Sequence, residues 1–131
     1  MPYLTSTDIT DKVAKRFIGD TNTDIQVYLD KGDSAIESIA QAKGVLDFAK
    51  IVEPLVYELK EYGLAVVYSK LFADSMNVNN NDAFESDKYF AKMKHYEEQM
   101  RYYAKTLTAE MITQEVEDLT DRHSSSFDIW R

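Results

Sequence analysis

The sequence predicts an all-α fold, a small bundle of about four helices with a long C-terminal helix and an extended C-terminal arm. Apolar residues recur three and four positions apart along most of the chain, and this period is typical of amphipathic helices. Two prolines and four glycines in 131 residues leave too few turn residues for an all-β protein. A chain of this length forms one domain, so we expect the bundle to cover residues 1–113 and the arm to cover residues 114–131.

The centre of the predicted bundle is a helix from Pro54 to about Ser75. Its second half, LAVVYSKLF, has little polar surface, and a helix that is apolar on nearly every side lies inside a protein. We expect Pro54 at the first helical position, because that position needs no amide donor. Gly63 lies on the apolar stripe, where the missing Cβ would let another helix come close.

A short first helix is predicted to begin at Ser6 or Thr7 and to end at Gly19. Serine and threonine are good N-caps, and Asp8 and Asp11 would lie in the positive first turn. Apolar residues four apart define the side that faces the core: Ile9, Val13 and Phe17.

A second helix is predicted from Thr23, as its cap, to Gly44, because apolar residues follow a 3.6-residue period there. Gly32 falls on the apolar face and marks either a crossing point with another helix or a kink. Residues 45–53 have two interpretations, a short helical turn with side chains in the core or an ordered connection to the central helix. The helical interpretation would bury three apolar side chains: Leu46, Phe48 and Ile51.

An asparagine-rich loop separates the central helix from the last one. The segment MNVNNNDAFE, Met76 to Glu85, contains four asparagines, whose side chains compete for backbone hydrogen bonds and favour turns. Ser86 is then expected to open the long helix. After Thr113 the apolar period stops.

The long helix repeats tyrosine, methionine and leucine at alternating steps of four and three: Tyr89, Met93, Tyr96, Met100, Tyr103 and Leu107. Such a seam packs along one partner groove. Two interpretations are open. Either the seam packs within the bundle and leaves a solvent-exposed edge of tyrosines, or exposed tyrosines, Tyr96 and Tyr103 in particular, form a subunit interface.

The C-terminal arm, Gln114 to Arg131, begins acidic, continues through three serines and then becomes apolar. Segments of this composition are commonly disordered alone. The single tryptophan of the chain follows the serine run, which predicts a tethered anchor that docks by strand addition or by side chains in pockets. In the alternative, the arm folds back onto its own bundle. The candidate anchors are Phe127, Ile129, Trp130 and Arg131.

The charge balance and the absence of cysteine exclude several classes of protein. A formal net charge of -8 repels the phosphates of nucleic acid. Without cysteine there is no disulfide, thiolate nucleophile or cysteine-type zinc site. The start, MPYLTSTD, lacks the features of a signal peptide, and no apolar run approaches the roughly 20 residues of a membrane span. We therefore expect a soluble protein made in the cytoplasm, with no membrane partner.

No motif in the sequence indicates a catalytic or metal site. His95 and Glu98 would supply only half of a metal site, and the Glu-x-x-His pair of metal-binding bundles is missing. There is no glycine-rich phosphate loop and no nucleophile elbow. His123 beside Ser124 is an adjacency in sequence, not the geometry of a triad. We expect neither an enzyme nor a bound cofactor or metal.

Six parts follow one another along the chain. They are a short capped helix (TSTDITDKVAKRF), a helix ending in AIESIAQAKGV, a proline-led helix with LKEYGLAVVYSKLF, an asparagine-rich loop, a tyrosine-rich helix (DKYFAKMKHYEEQMRYY) and a polar arm. This order resembles the head-tail connector proteins of tailed bacteriophages, also called adaptor or head-completion proteins.

The resemblance implies a structural protein of the virion neck, made in the host cytoplasm. It implies a ring of copies, twelvefold like the portal, that extends the DNA channel from the portal to the tail. The arm would dock on the portal protein, and a loop would receive a tail-completion or neck protein. The candidate loop residues are Asn79, Asn80 and Asn81. DNA would pass through the channel without specific binding, since an acidic wall offers phosphates no partners.

A small helical protein-binding module, such as an inhibitor or an assembly chaperone, is the alternative function. It would act as a monomer or dimer on one protein partner. In that case the tyrosine seam of the long helix would be the main contact surface.

Overall fold

Five α-helices and two 3₁₀ turns make up the part of the chain that the computed structural model describes, residues 3–18, 23–76 and 83–114. No strand occurs in these residues, and the predicted all-α bundle is confirmed. The helices are α1 (Lys12–Lys15), α2 (Ile25–Ala42), α3 (Tyr57–Ser75), α4 (Ala83–Thr106) and α5 (Ala109–Thr113), and the 3₁₀ turns are Ser6–Asp8 and Phe48–Lys50.

Helix α3 lies at the centre, with α2 and α4 packed against it. Residues on every side of its second half are buried, which confirms the predicted central helix. They are Leu64, Ala65, Val66, Val67, Tyr68, Ser69, Leu71 and Phe72. The predicted start at Pro54 was wrong, because Val56 is the N-cap, with an extended backbone at φ -60° and ψ 147°. Pro54 instead belongs to the connection before the helix, where its peptide bond with Glu53 is cis.

Two glycines form the crossing point of α2 and α3. A Cβ at Gly32 would lie 2.7 Å from Leu4 Cδ1, 2.7 Å from Val67 Cγ2 and 3.0 Å from the Gly63 carbonyl oxygen. A Cβ at Gly63 would lie 2.7 Å from Ile36 Cδ1. The predicted close approach at Gly63 is confirmed. Gly32 marks the crossing rather than a kink, since α2 continues through it.

The predicted first helix is divided into two short turns. Asp8 accepts a hydrogen bond from the Thr5 amide at 2.8 Å and closes the first 3₁₀ turn. Asp11 is the N-cap of α1 and accepts hydrogen bonds from the amides of Val13 and Ala14 at 2.9 and 3.0 Å. The prediction of one continuous helix capped by Ser6 or Thr7 was wrong, because Thr5 is the N-cap of the first turn, Asp11 is the N-cap of the second, and the chain between the turns is extended. Gly19 lies outside the described residues.

The second helix begins and ends close to its predicted limits. Asp24, not Thr23, is the N-cap of α2 and accepts a hydrogen bond from the Gln26 amide at 3.1 Å. Gly44 follows the helix with φ 101°, a conformation that suits glycine. In the connection to α3, Ile51 is buried, as the helical interpretation requires, but Leu46 is 73% exposed. A short helical turn does occur, at Phe48–Lys50, but of the three side chains that the helical interpretation would bury only Ile51 is buried, since Phe48 is 36% exposed.

The long helix α4 begins at Ala83, three residues before the predicted Ser86. It ends at Thr106, and Thr108 then caps the separate short helix α5. Gln114 closes α5 in the left-handed conformation, with φ 57° and ψ 44°. Its side-chain amide donates to the carbonyl oxygens of Pro54 at 2.7 Å and Val52 at 3.4 Å. This contact holds the beginning of the arm beside the connection that leads into α3.

Candidate interaction surfaces

The inner side of α4 is fixed by a row of aromatic rings. Tyr89 and Tyr96 both stack on Phe72 of α3, with ring centroids 5.8 and 6.2 Å apart. Tyr96 also contacts Tyr68, at 4.6 Å, and Tyr89 contacts Phe17, at 6.1 Å. These rings join α3, α4 and the segment after α1, so the first half of the tyrosine seam packs within the bundle.

Asp11 joins the N-terminal segment to α4. Its carboxylate, only 4% exposed, accepts a hydrogen bond from Lys92 Nζ at 2.9 Å and another from the Tyr96 hydroxyl. Burial alone would raise the pKa of Asp11, but the hydrogen bonds from Tyr96, Lys92 and the Ala14 amide hold that pKa below its ordinary value. Burial and the hydrogen bond to Asp11 raise the pKa of Tyr96. Asp11 therefore remains a carboxylate and Tyr96 remains a neutral donor at physiological pH.

The second half of the seam reaches an exposed aromatic patch. Tyr103 packs edge-on against Tyr57, with centroids 6.5 Å apart, and against Tyr102 at 5.1 Å. Tyr57 is 64% exposed and Tyr102 is 62% exposed. Burial, together with a hydrogen bond to Tyr57, raises the pKa of Tyr103 to about 12. We call these three residues the tyrosine patch; amphipathic rings of this kind are favoured at protein interfaces.

A groove lies beside α5, where the end of α2 and the connection after it face that helix. Its volume is about 360 Å³, which is within the usual range for ligand pockets. We call it the α5 groove. Its lining combines apolar and charged residues: Gly44, Val45, Leu46, Asp47, Lys50, Ala109, Glu110 and Thr113.

The predicted site residues lie in very different places. Tyr96 is half-buried and packs inside the bundle, and Tyr103 is a partly buried member of the tyrosine patch. Of these two predicted residues, only Tyr103 therefore belongs to an exposed aromatic surface. The other predicted contact residues lie outside the described residues: Asn79, Asn80, Asn81, Phe127, Ile129, Trp130 and Arg131.

Sequence reasoning missed the exposed positions Tyr57 and Leu46. Tyr57 had been placed inside the first turn of a helix starting at Pro54, whereas the observed helix begins at Tyr57 itself. The signal that could have found Leu46 is Gly44, since a glycine ending a helix lets the chain turn away from its apolar face. Neither pattern reveals the α5 groove, because residues more than 60 positions apart line it.

The asparagine-rich loop and the arm begin at opposite ends of the bundle. Helices α3 and α4 are antiparallel, since Tyr57 contacts Tyr103 while Phe72 contacts Tyr89. The loop of residues 77–82 joins these helices at one end. Gln114 is bound to Val52 and Pro54 at the other end. At 1.5 Å per residue, the 19 residues of α3 separate the two ends by about 28 Å.

Among the described residues, the histidine and acidic side chains are not grouped as a metal site. His95 is exposed, lies edge-on to Tyr96 at 4.9 Å, and is 3.1 Å from the Gln99 side-chain nitrogen. Within residues 3–18, 23–76 and 83–114, no three acidic or histidine side chains are grouped as metal ligands would be. No helix in these same ranges is long and apolar enough to cross a membrane.

Comparison with known proteins gives no relative: no family model, no curated protein and no solved structure matches this chain. Its surfaces are therefore the basis on which a function can be argued.

Proposed function

We propose that this chain is a structural virion protein, a head-tail connector or adaptor that forms a ring between the portal and the tail. The observation that best supports the proposal is that its two candidate contact segments are connected to opposite ends of the α3–α4 pair. A connector has to contact one neighbour above and another below. In a bundle about 28 Å long, one segment continues from Met76 at one end and the other from Gln114 at the other end, and this arrangement supports a bridging role.

In this proposal the arm docks on the portal protein through four residues: Phe127, Ile129, Trp130 and Arg131. The loop with Asn79, Asn80 and Asn81 faces the tail-completion or neck protein. Copies of the chain form the ring, twelvefold in agreement with the portal. The ring extends the DNA channel, and the net charge of -8 favours passage of DNA without specific binding.

The test is affinity capture from cells that produce all the proteins encoded beside this one. We expect the full-length chain to capture a large ring-forming protein, and a chain ending at His123 to lose it. Full-length Trp130→Ser should lose most of this capture, because aromatic anchors provide a large share of interface energy. Full-length Ser125→Ala is the matched control and should capture as the wild type does.

Two outcomes would contradict the connector proposal. One is a chain ending at His123 that still enters the virion neck. The other is capture of the same single small partner by the full-length and the shortened chain, which is the result expected of a protein-binding module. The exposed tyrosine patch supports that second candidate function, and Tyr102→Ser should then weaken capture more than loss of residues 124–131 does.

A further inference from the structure

The α5 groove has the chemistry of a site for an indole ring. Val45, Leu46 and Ala109 supply apolar walls, and Leu46 is left 73% exposed although it is a large apolar side chain. Asp47 and Glu110 supply carboxylate oxygens beside those walls. An indole buries a large apolar surface and still needs an acceptor for its single N–H group.

The chain contains one tryptophan, Trp130, and the segment that holds it starts next to the groove. Thr113 lines the groove, and Gln114 is fixed by the carbonyls of Val52 and Pro54. The sixteen residues that follow Gln114, up to and including Trp130, could span about 50 Å when extended. The five residues of α5 are only about 8 Å long, so the segment is long enough to turn back to the groove.

Both surfaces carry charges of both signs, so opposite charges can be paired: the groove has Lys50, Asp47 and Glu110, and the end of the arm has Asp128 and Arg131. Asp128 lies two residues before Trp130. In an extended segment, residues two apart point to the same side. Asp128 and Trp130 would therefore face the groove together, with Asp128 toward Lys50.

We propose that, in the free protein, residues 127–131 dock on the α5 groove of their own chain, with Trp130 between Leu46 and Ala109 and Asp128 paired with Lys50. A tethered segment has an effective concentration of about a millimolar, so a weak site is sufficient. The docked arm covers Leu46 until a stronger partner takes it away. This inference concerns the isolated chain and does not depend on the proposed role in the virion.

The experiment uses Trp130 as its own probe, because no other tryptophan contributes to the fluorescence of the full-length chain. Pockets cover roughly 70–90% of a bound group. We therefore expect acrylamide to quench the wild-type protein at least about threefold less than a free peptide of residues 124–131. Leu46→Ser should raise quenching to nearly the peptide value. Val27→Ser is the matched control, since Val27 is 45% exposed on α2 and lies about 26 Å along that helix from Gly44.

A charge exchange tests the assigned orientation in the same assay. Lys50→Glu should raise quenching, and adding Asp128→Lys to it should restore protection. Circular dichroism of each variant establishes that the bundle is folded. Wild-type quenching equal to that of the peptide would overturn the proposal. Protection that Leu46→Ser and Lys50→Glu leave unchanged would overturn the groove as the site.

The same measurement separates docking within one chain from docking between chains. Protection in one chain is independent of protein concentration over about two orders of magnitude below the effective concentration of the tether. Protection that rises with concentration, together with a dimer in sedimentation, would show that the arm of a second copy fills the groove and would overturn docking within the chain.

Discussion

At residue 32 a single methyl group is enough to disturb the centre of the bundle. The nearest atoms to a Cβ there belong to Leu4, to Val67 and to the Gly63 carbonyl. Leu4 and Val67 are fully buried, and Val67 is stiff because it is branched at Cβ. The carbonyl is part of the α3 backbone and can move only with the helix. The glycine is therefore required by packing and not by backbone conformation.

Gly32→Ala is predicted to lower the free energy of unfolding by about 1–2 kcal/mol, although alanine gains about 1 kcal/mol over glycine in an open helix. Chemical denaturation measures the change. Val67→Ala removes the branch that the new methyl group would meet, so Gly32→Ala should cost less in that background. A Gly32→Ala protein at least as stable as the wild type would show that α2 and α3 do not cross as closely as the distances indicate.

Asp11 is a second residue that joins parts of the chain far apart in sequence. One carboxylate oxygen caps α1, and the other receives Lys92 and Tyr96 from α4. Because its pKa in the folded protein lies below the ordinary value, its ionisation stabilises the fold above pH of about 4. That contribution is lost as the pH falls through the lowered pKa. Asp33 acts in the opposite direction, since burial raises its pKa despite hydrogen bonds from the Tyr3 and Leu4 amides.

The difference in unfolding free energy between the wild type and Asp11→Asn should be constant near neutral pH and should shrink as the pH falls below about 4. Subtracting the variant removes the contributions of Asp33 and of other groups that both proteins share. At neutral pH we expect a loss of about 1–3 kcal/mol, because Lys92 loses its partner charge. Asp24→Asn, at the exposed cap of α2, should cost under about 1 kcal/mol. A pH-independent difference would contradict the ionic role of Asp11.

At the scale of the element, α4 has an inner side that holds the bundle and an outer side that does not. Tyr96→Phe removes the hydroxyl that donates to Asp11 but keeps the ring on Phe72. It should cost about 1–2 kcal/mol, because the acceptor it leaves is buried. Tyr102→Phe changes an exposed hydroxyl and should stay within about 0.5 kcal/mol. Thermal denaturation of the two variants compares them, and equal losses would contradict this division of α4.

This division also decides how a binding experiment on the tyrosines has to be made. A substitution of Tyr96 removes contacts with α3 and with Asp11, so a loss of binding would follow from a loss of structure. Tyr57 and Tyr102 are mostly exposed and are the positions at which a contact can be removed without disturbing the core. The spacing of the seam could not distinguish these cases, since periodicity gives the side of a helix but not where its partner ends.

Among the elements, long apolar periods were predicted well and short capped turns were not. Helices α2 and α3 follow from the 3.6-residue pattern, and the second half of α3 is buried on nearly every side, as expected. The spacing of Ile9, Val13 and Phe17 also fitted a helix, yet the side chains of Asp8 and Asp11 each bond to the backbone of a separate turn. Local hydrogen bonds to aspartate side chains compete with a continuous helix. The spacing of apolar residues gives no information about these bonds.

At the scale of the whole molecule, charge is distributed unevenly along the chain. Residues 115–131 include five acidic and two basic residues, and residues 1–114 include 18 acidic and 13 basic residues. The composition predicted an acidic protein, and the arm carries three of the eight excess negative charges in only 17 of the 131 residues. Repulsion of DNA by the connector would therefore depend strongly on where the arm is placed.

The proposed connector also has to use its two ends independently. Replacing Asn79, Asn80 and Asn81 by serines should abolish capture of the tail-side or neck protein and leave capture of the portal-like ring unchanged. Trp130→Ser should have the opposite effect. The reason is distance, since about 28 Å of helix separates the two attachment points and short-range contacts do not extend that far. Both variants should unfold close to the wild-type temperature, because neither changes a residue of the described hydrophobic core. If either variant lost both partners, the two segments would form one contact surface, and an adaptor bridging two neighbours would be the wrong description.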